Sequence, residues 1–288
     1  MKVLVLCSGG DSPGMNYCIY SLLKMGRKHN FYGAIAGYKG LINNNFIKLN
    51  INDCKEKKDV AGAFIKSSRC PEFKTQKGVD LAVKNINDNK FDCVIVLGGD
   101  GSYRGCSALV KNKIKCLFIP ATIDRDLPYE TYSIGFLSAV NACDRYITQV
   151  MNSFKSFDRT GVFEVMGRDN SSIAKLVARQ VKADLCITDE NYKTFKVENL
   201  DKNNKSQIIV LQENLLDINK VCLDVQNYLE SEVKPCVISY LQRGADPVRQ
   251  EKRLSWILAK TAIQALNKKK FNLAISLNEN VAQTLDLK

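Results

Sequence analysis

Short apolar runs separated by polar or amphipathic segments dominate the hydrophobic pattern of this chain. Three of them, at residues 2–7, 93–97 and 116–119, are followed closely by glycine or proline. Such runs predict buried strands of a parallel sheet, and the segment between the last two predicts a crossover helix. Those two strands should be neighbours whose carboxyl ends meet at the edge where open α/β sheets bind ligands.

A second region of alternating elements follows. Apolar residues recur at helical spacing over residues 136–150 and predict a long amphipathic helix. Beyond it, residues 161–166, 170–182 and 184–188 alternate strand, helix and strand, and residues 208–211 form another apolar run. The pattern favours an α/β fold of two Rossmann-like domains with parallel-rich sheets.

We place the domain boundaries where the second region of alternating strands and helices begins and ends. We predict a larger domain of residues 1–126 plus 236–288 and a smaller one of residues 127–235. The chain should return to the larger domain through residues 237–240, and a helix near 254–266 should pack there.

The amino-acid composition is that of a globular protein but does not indicate a particular function. The chain has 288 residues, of which 45% are hydrophobic and 25% charged, as in ordinary soluble globular proteins. No apolar stretch is long enough to span a bilayer, and the first residues have a strand pattern instead of a signal peptide, so we expect a cytoplasmic protein without a membrane partner. The eleven cysteines contain no CxxC pair and favour reduced thiols. His29 is the single histidine and is expected at the surface, so zinc is not expected.

A net charge of +12 raises the question of nucleic-acid binding. The chain has no helix-turn-helix signal and no basic strand pair with interleaved aromatic residues, so we do not expect a nucleic-acid partner. A basic surface also suits a protein whose ligands are anionic.

Two polar motifs follow the predicted neighbouring strands. Residues 98–102 read GGDGS and residues 120–126 read PATIDRD. The glycines let backbone N–H groups approach an anion, and a helix starting near Ser102 would direct its positive end there. Asp100 suits Mg²⁺ beside a phosphate. Of Asp124 and Asp126, one would accept a proton from an attacking hydroxyl and the other would help the metal, as phosphoryl transfer requires. Either motif alone fits a surface turn; together they favour a site.

These motifs resemble those of the 6-phosphofructokinase family, whose pattern is GGDGS followed by PGTIDND. Five further segments are similar to family blocks in family order: LCSGGDSPGMN, GYKGL, SSRCPEF, FEVMGR and LQRGADPV. The resemblance covers nearly the whole chain and is closest to the short bacterial type. It implies phosphorylation of fructose 6-phosphate at the C1 hydroxyl by ATP, with Mg²⁺ as cofactor and the active site in a cleft between the two domains.

The resemblance also implies residue roles. Asp124 would be the base, Asp100 and Asp126 would hold Mg²⁺, and the transferring group would be stabilised by Arg69, Gly10 and Thr122. The expected nucleotide contacts are Gly10, Tyr38, Arg69, Cys70, Phe73, Lys74, Asp100, Gly101, Ser102 and Gly105. The expected sugar-phosphate contacts are Thr122, Asp124, Arg159, Met166, Gly167, Arg168, Glu213, Arg243, Arg249 and Lys252. Arg159 and Arg243 resemble arginines that reach the site of a neighbouring subunit, which implies a homo-oligomer, by family analogy a tetramer.

Several positions depart from the family pattern. Arg125 replaces an asparagine between the two carboxylates, where it would weaken Asp124 as a base if it points inward and do little if it points outward. Lys252 replaces an arginine and would reduce bidentate phosphate capture to a single charge. Gly101 together with Ala121 is typical of relatives that use ATP instead of pyrophosphate.

The same departures leave other interpretations open. Tyr20 and Met151 replace arginines of the bacterial effector site, so we expect weak or absent regulation by ADP and phosphoenolpyruvate. Arg125, Lys252 and a short C-terminal segment would also fit a phosphofructokinase-like subunit without turnover. A kinase of the NAD-kinase or lipid-kinase type also uses a GGDG loop, although the PEF, MGR and QRG segments argue against it.

Overall fold

The computed structural model describes residues 1–129, 131–278 and 281–287. The chain divides into two compact units, unit 1 (Met1–Phe136 and Asp246–Lys288) and unit 2 (Leu137–Ala245). Each division lies further along the chain than the sequence predicted, after residue 136 instead of 126 and after residue 245 instead of 235.

The strands and helices follow one another as an α/β chain. The strands are β1 (Lys2–Cys7), β2 (Asn30–Ala34), β3 (Phe46–Lys48), β4 (Cys93–Gly98), β5 (Cys116–Pro120), β6 (Thr160–Val165), β7 (Leu185–Ile187), β8 (Ile208–Gln212), β9 (Val233–Val237), β10 (Leu273–Asn278) and β11 (Val281–Asp286). The helices are α1 (Met15–Met25), α2 (Tyr38–Ile42), α3 (Ile51–Lys57), α4 (Gln76–Asp88), α5 (Asp100–Lys111), α6 (Phe136–Phe154), α7 (Ser172–Val181), α8 (Ile218–Leu229) and α9 (Arg249–Asn267).

The sheet of unit 1 has the strand order β11-β10-β5-β4-β1-β2-β3. The central strands β1, β4 and β5 are parallel, and Gly98 at the end of β4 lies opposite Pro120 at the end of β5. This confirms the prediction that the two polar motifs follow neighbouring strands. The strand order reverses between β1 and β4, which is the point where open α/β sheets form their ligand crevice.

Both faces of the central strands β1, β4 and β5 are buried, which explains why these strands have continuous apolar runs. Val5 and Ile95 face α1 and α9, whereas Leu6 and Val96 face α4 and α5. Phe118 is fully buried on the second face, and covering such a side chain is worth about 2–3 kcal/mol. Helix α9 confirms the predicted helix and begins earlier, at Arg249.

Unit 2 contains a parallel sheet of order β7-β8-β6-β9. The prediction that the chain returns to the larger domain through residues 237–240 is wrong, because unit 2 continues to Ala245. Strand β9 ends at Val237 and pairs with β6, and Ser239–Gln242 forms a 3₁₀ helix. The hydrophobic pattern did not indicate β9, because β9 is a half-exposed edge strand that carries Pro235. Such a strand has few apolar residues in succession.

The cysteines are free thiols, most of them buried. Burial raises the pKa of the Cys7 thiol to about 12, so this side chain stays protonated at neutral pH. The described helices include none long and apolar enough to cross a bilayer.

Candidate active site

Three loops meet at the carboxyl ends of β1, β4 and β5. The N–H of Ser8 donates to the Leu97 carbonyl at 3.0 Å, and the N–H of Ala121 donates to the Gly98 carbonyl at 2.9 Å. The Ser102 hydroxyl donates to the Ser8 carbonyl at 2.9 Å. These bonds tie the turn after β1 and both polar motifs into one rigid edge.

The GGDGS turn leads directly into α5, which begins at Asp100 instead of near Ser102. A Cβ on Gly98 would lie 2.3 Å from the Ser102 hydroxyl, so only glycine fits this turn. Gly101 is exposed, and a Cβ there would meet nothing within 4 Å. The turn therefore leaves open space beside Gly101, in the first turn of a helix whose amino end is suited to an anion.

Asp100 is held by a residue that the sequence analysis overlooked. Arg104 lies one turn along α5 and contacts both carboxylate oxygens, with Nη2 at 2.9 Å from Oδ2 and Nε at 3.1 Å from Oδ1. The i, i+4 spacing of an acid and a base on a helix is a signal that was available in the sequence.

The PATIDRD loop folds around Thr122, which is buried. The Thr122 hydroxyl accepts a hydrogen bond from the Asp124 N–H at 3.1 Å and lies 3.5 Å from Asp126 Oδ1, while the Ser133 hydroxyl donates to the Thr122 carbonyl at 2.7 Å. A Cβ on Gly99 would lie 3.3 Å from Asp126 Oδ1. The carboxylate of Asp126 thus lies directly against the GGDGS turn, and the structure brings the two motifs together.

The loop at 67–69 joins the same edge. The Gly9 N–H donates to the Ser68 carbonyl at 3.2 Å, and the Ser67 hydroxyl donates to the Gly9 carbonyl at 2.9 Å. Gly10 and Arg69, on either side of these contacts, are both exposed. Arg69, predicted to stabilise the transferring group, therefore stands on a loop that is fixed to the turn after β1.

The two aromatic residues predicted to contact a nucleotide are core residues of unit 1. The rings of Tyr38 and Phe73 stack with centroids 4.0 Å apart, and the Tyr38 hydroxyl donates to the Ser102 carbonyl at 2.7 Å. A Cβ on Gly105 would lie 2.7 Å from the Tyr38 ring. Burial raises the pKa of the Tyr38 hydroxyl well above its ordinary value. Tyr38 thus supports α5 from behind, and its contact with a nucleotide stays a prediction.

The other two predicted nucleotide contacts flank Phe73. Cys70 is half-buried with its thiol 3.5 Å from a Glu72 carboxylate oxygen. Lys74 is exposed at the end of the short 3₁₀ helix Pro71–Lys74.

Unit 2 gathers four of the predicted sugar contacts at the carboxyl ends of β6 and β8. Glu213 Oε1 accepts hydrogen bonds from the N–H groups of Gly167 and Arg168, at 2.9 and 2.8 Å. The Met166 N–H donates to Gln242 Oε1 at 2.8 Å. The Arg168 backbone is left-handed, with φ of 54°, and its side chain is exposed. One carboxylate therefore shapes this loop, and Gln242 is a supporting residue that the sequence analysis missed.

A second carboxylate lies near this loop. Burial, and then the charge of Glu213, raise the pKa of Glu164 above its ordinary value.

Two of the basic residues predicted to bind a sugar phosphate have acidic partners. Lys252 Nζ lies 2.7 Å from Asp59 Oδ1, and Asp59 also pairs with Lys58. Arg159 pairs with Glu232 and packs over the Phe157 ring at 4.7 Å. Arg249 is exposed at the start of α9, and Arg243 is half-buried after the Ser239–Gln242 turn.

The effector positions named in the sequence analysis have no charge of their own. Met151 is buried, and the Tyr20 ring is half-buried with the Lys24 ammonium 5.6 Å from its centroid. Weak regulation stays a prediction.

The carboxylates fit a magnesium ion better than a closed metal centre. Within the described part of the chain, no three His, Cys, Asp or Glu residues group together as metal ligands would. Mg²⁺ commonly takes only one or two carboxylates and completes its shell with water and substrate phosphates. Asp100 and Asp126, both next to Gly99, are suited to that incomplete set.

A parallel sheet with glycine-rich turns and carboxylates at three adjacent strand ends defines an α/β protein of the class that binds phosphorylated ligands. A family model described as Phosphofructokinase matches residues 2–266. The chain belongs to the phosphofructokinase family.

Curated relatives are similar in sequence to this chain over almost its whole length. The ATP-dependent 6-phosphofructokinase of Macrococcus caseolyticus is 32% identical, over 97% of this chain and 90% of its own. That of Finegoldia magna is 32% identical, over 99% of this chain and 92% of its own.

Solved structures share the fold at lower identity. Phosphofructokinase from Saccharomyces cerevisiae superimposes with a TM-score of 0.87 at 22% identity, over 99% of this chain and 44% of its own. A pyrophosphate-dependent phosphofructokinase from Marinobacter aquaeolei has a TM-score of 0.88 at 18% identity, over 99% of this chain and 82% of its own.

Proposed function

We propose that this protein transfers the γ-phosphoryl group of ATP to the C1 hydroxyl of fructose 6-phosphate, giving fructose 1,6-bisphosphate and ADP. The observation that carries the proposal is the contact between the GGDGS and PATIDRD motifs, with Asp126 Oδ1 3.3 Å from the position of a Gly99 Cβ. The names of the relatives, ATP-dependent 6-phosphofructokinases, support ATP as the donor and this reaction as its class.

Asp124 is the base in this proposal. It accepts the proton of the C1 hydroxyl as that oxygen attacks phosphorus, and the ADP oxygen leaves on the opposite side. The bond from the Asp124 N–H to the buried Thr122 hydroxyl fixes the backbone that carries the carboxylate. Positioning of this kind is the main contribution a protein makes to phosphoryl transfer.

The negative charge of the transferring group is met by this chain's own donors. Arg69 and the Gly10 N–H approach its oxygens, and the amino end of α5 adds a partial positive charge. Asp100 and Asp126 would hold Mg²⁺, which neutralises phosphate charge when it is bound.

The acceptor contacts are those that the family resemblance implies. Met166, Gly167, Arg168 and Glu213 would contact the sugar, and Arg249 and Lys252 would contact its phosphate. Arginine and lysine are suited to this anion, arginine as a bidentate partner and lysine as a point charge.

A cytoplasmic homotetramer, in which Arg159 and Arg243 reach the sugar phosphate of a neighbouring subunit, completes the proposal. The side chains of Val237, Tyr240 and Leu241, close to Arg243, are 54%, 76% and 46% exposed. Clustered exposed apolar residues support a protein–protein contact here.

A coupled assay tests the function. Purified protein with fructose 6-phosphate and Mg-ATP should form ADP and fructose 1,6-bisphosphate, whereas pyrophosphate as donor should give much less turnover. The space beside Gly101 and the small Ala121 support this preference for ATP. Turnover with NAD but not with fructose 6-phosphate would overturn the proposal, and no turnover with any donor would identify a non-catalytic subunit.

A further inference from the structure

The ion pair between Asp100 and Arg104 occupies the carboxylate that the proposed function assigns to magnesium. The guanidinium contacts both oxygens, at 2.9 and 3.1 Å, in the planar two-point geometry that makes arginine–carboxylate pairs strong. Asp100 is the first residue of α5, and its side chain is 22% exposed. The pair therefore stands at the amino end of the helix, next to Gly101, where an added Cβ would meet nothing within 4 Å.

A lone divalent cation and Arg104 compete for the same oxygens. Both guanidinium donors are directed at the carboxylate, and a cation that enters must displace them or accept a positive charge as its neighbour. A cation that arrives bound to phosphates has the advantage over a free cation. The negative charge of the phosphates attracts the guanidinium away from the Asp100 carboxylate. Arg104 is able to move, since its side chain is 78% exposed and its stem is flexible.

We propose that Arg104 is a specificity-determining residue of the donor site, which keeps Asp100 from binding a free divalent cation and releases it to a cation–nucleotide complex. The guanidinium moves from the Asp100 carboxylate to the phosphates as the complex enters. This inference rests on the proposed function only for the assignment of Asp100 to the metal. It gives Arg104 a role in the order of binding, and no role in the proton transfer.

Manganese binding to the intact protein tests the inference without turnover. Free Mn²⁺ is measured by its paramagnetic resonance signal, with and without ADP, for the wild type, Arg104→Met and Asp100→Asn. Arg104→Met should bind Mn²⁺ alone about three- to tenfold more tightly, the range expected for loss of a solvated ion pair and of a nearby positive charge. The same variant should bind Mn-ADP equally well or more weakly, because it has lost a phosphate contact.

A matched control is provided by Lys84 and Asp88 on α4. They form another exposed i, i+4 pair, at 3.1 Å, outside the site, so Lys84→Met should leave both affinities unchanged. Arg104→Lys keeps the charge and loses the two-point geometry. Its affinity for Mn²⁺ alone should lie between those of the wild type and Arg104→Met. In the Asp100→Asn background, Arg104→Met should no longer change Mn²⁺ affinity.

Three results would overturn the inference. They are unchanged Mn²⁺ affinity in Arg104→Met, an equal gain in the Asp100→Asn background, and wild-type Mn²⁺ affinity in Asp100→Asn itself. The coupled assay separates this inference from the proposed function. Tighter Mn²⁺ binding by Arg104→Met in a protein without turnover would keep the inference and reject the activity, and the reverse combination would keep the activity and reject the inference.

Discussion

The guanidinium carbon of Arg125 lies 4.2 Å from the centroid of the Phe136 ring and 5.2 Å from that of Tyr132. The cation that separates Asp124 from Asp126 in sequence is therefore packed over two aromatic faces. Such contacts contribute about 0.5–1 kcal/mol at exposed sites and more where water is excluded. Arg125 also has a left-handed backbone, with φ of 51°.

These two features predict effects of different size for two substitutions of Arg125. Arg125→Asn loses the aromatic contact but introduces a residue that tolerates a left-handed backbone, so its free energy of unfolding should change by less than about 1 kcal/mol. Arg125→Val loses the contact and adds backbone strain, for a loss of about 2–3 kcal/mol. Urea unfolding of both variants measures the difference, and equal stabilities would show that the backbone conformation carries no cost.

Replacement of Asp124 should remove turnover without removing the nucleotide. We expect Asp124→Ser to lower kcat by about 10²- to 10⁴-fold, since a general base contributes that much. ATP binding, measured by calorimetry, should stay within about twofold of wild type because the proposed contact of Asp124 is with the acceptor hydroxyl and not with the nucleotide. Asp88→Asn removes an exposed carboxylate of α4 and is the control. Near-normal kcat in Asp124→Ser would contradict the assignment of the base.

Asp59 should compete with the sugar phosphate for Lys252. The Lys252 ammonium, and then Lys58, hold the pKa of Asp59 below its ordinary value. The carboxylate is therefore charged throughout the neutral range and compensates the lysine. In Asp59→Asn the Lys252 charge is no longer compensated, and we expect the KM for fructose 6-phosphate to fall by about two- to fivefold with kcat unchanged.

Two further variants separate competition from positioning. Asp53→Asn, an exposed site on the neighbouring helix α3, should leave KM unchanged. In Lys252→Met, the Asp59→Asn change should have no effect on KM. A higher KM in Asp59→Asn alone would show that Asp59 orients Lys252 for the phosphate.

Glu164 should make stability depend on pH in a direction opposite to that of most carboxylates. Its pKa is raised in the folded protein, mainly by burial, so the folded state binds more protons than the unfolded state between pH 4.5 and the raised folded value. Stability is therefore lost as the pH rises through this window, and the loss persists above it. We expect Glu164→Gln to have a higher Tm than wild type at pH 7 and a smaller advantage near pH 4.5.

Thermal unfolding across that range provides the measurement. Glu198→Gln, at an exposed carboxylate of the same unit, serves as the control for the change in net charge. A Glu164→Gln advantage that does not grow with pH would contradict the prediction.

The interaction partners of several side chains in the candidate site could not be predicted from the sequence, for a physical reason. Lys252 and Asp59 lie far apart in the chain, and long charged side chains take their partners from whatever the fold places nearby. The pattern around Tyr38 is that of a turn, and only the packing against Phe73 and Gly105 shows that its ring is buried. Arg104 is the exception, because its spacing from Asp100 is local and was readable.

The sequence by itself determined the parallel strands β1, β4 and β5, because each is a short apolar run that must be buried on both faces. It also determined that the GGDGS and PATIDRD motifs lie side by side, since parallel neighbours place their carboxyl ends at one edge. Only the tertiary structure decided where Arg125 points, which acids hold Lys252 and Arg159, and that β9 belongs to the sheet of unit 2. The hydrophobic periodicity of a segment indicates which of its faces is buried. The contacts of a side chain, or the strand that pairs with an edge strand, depend instead on residues that are distant in the chain.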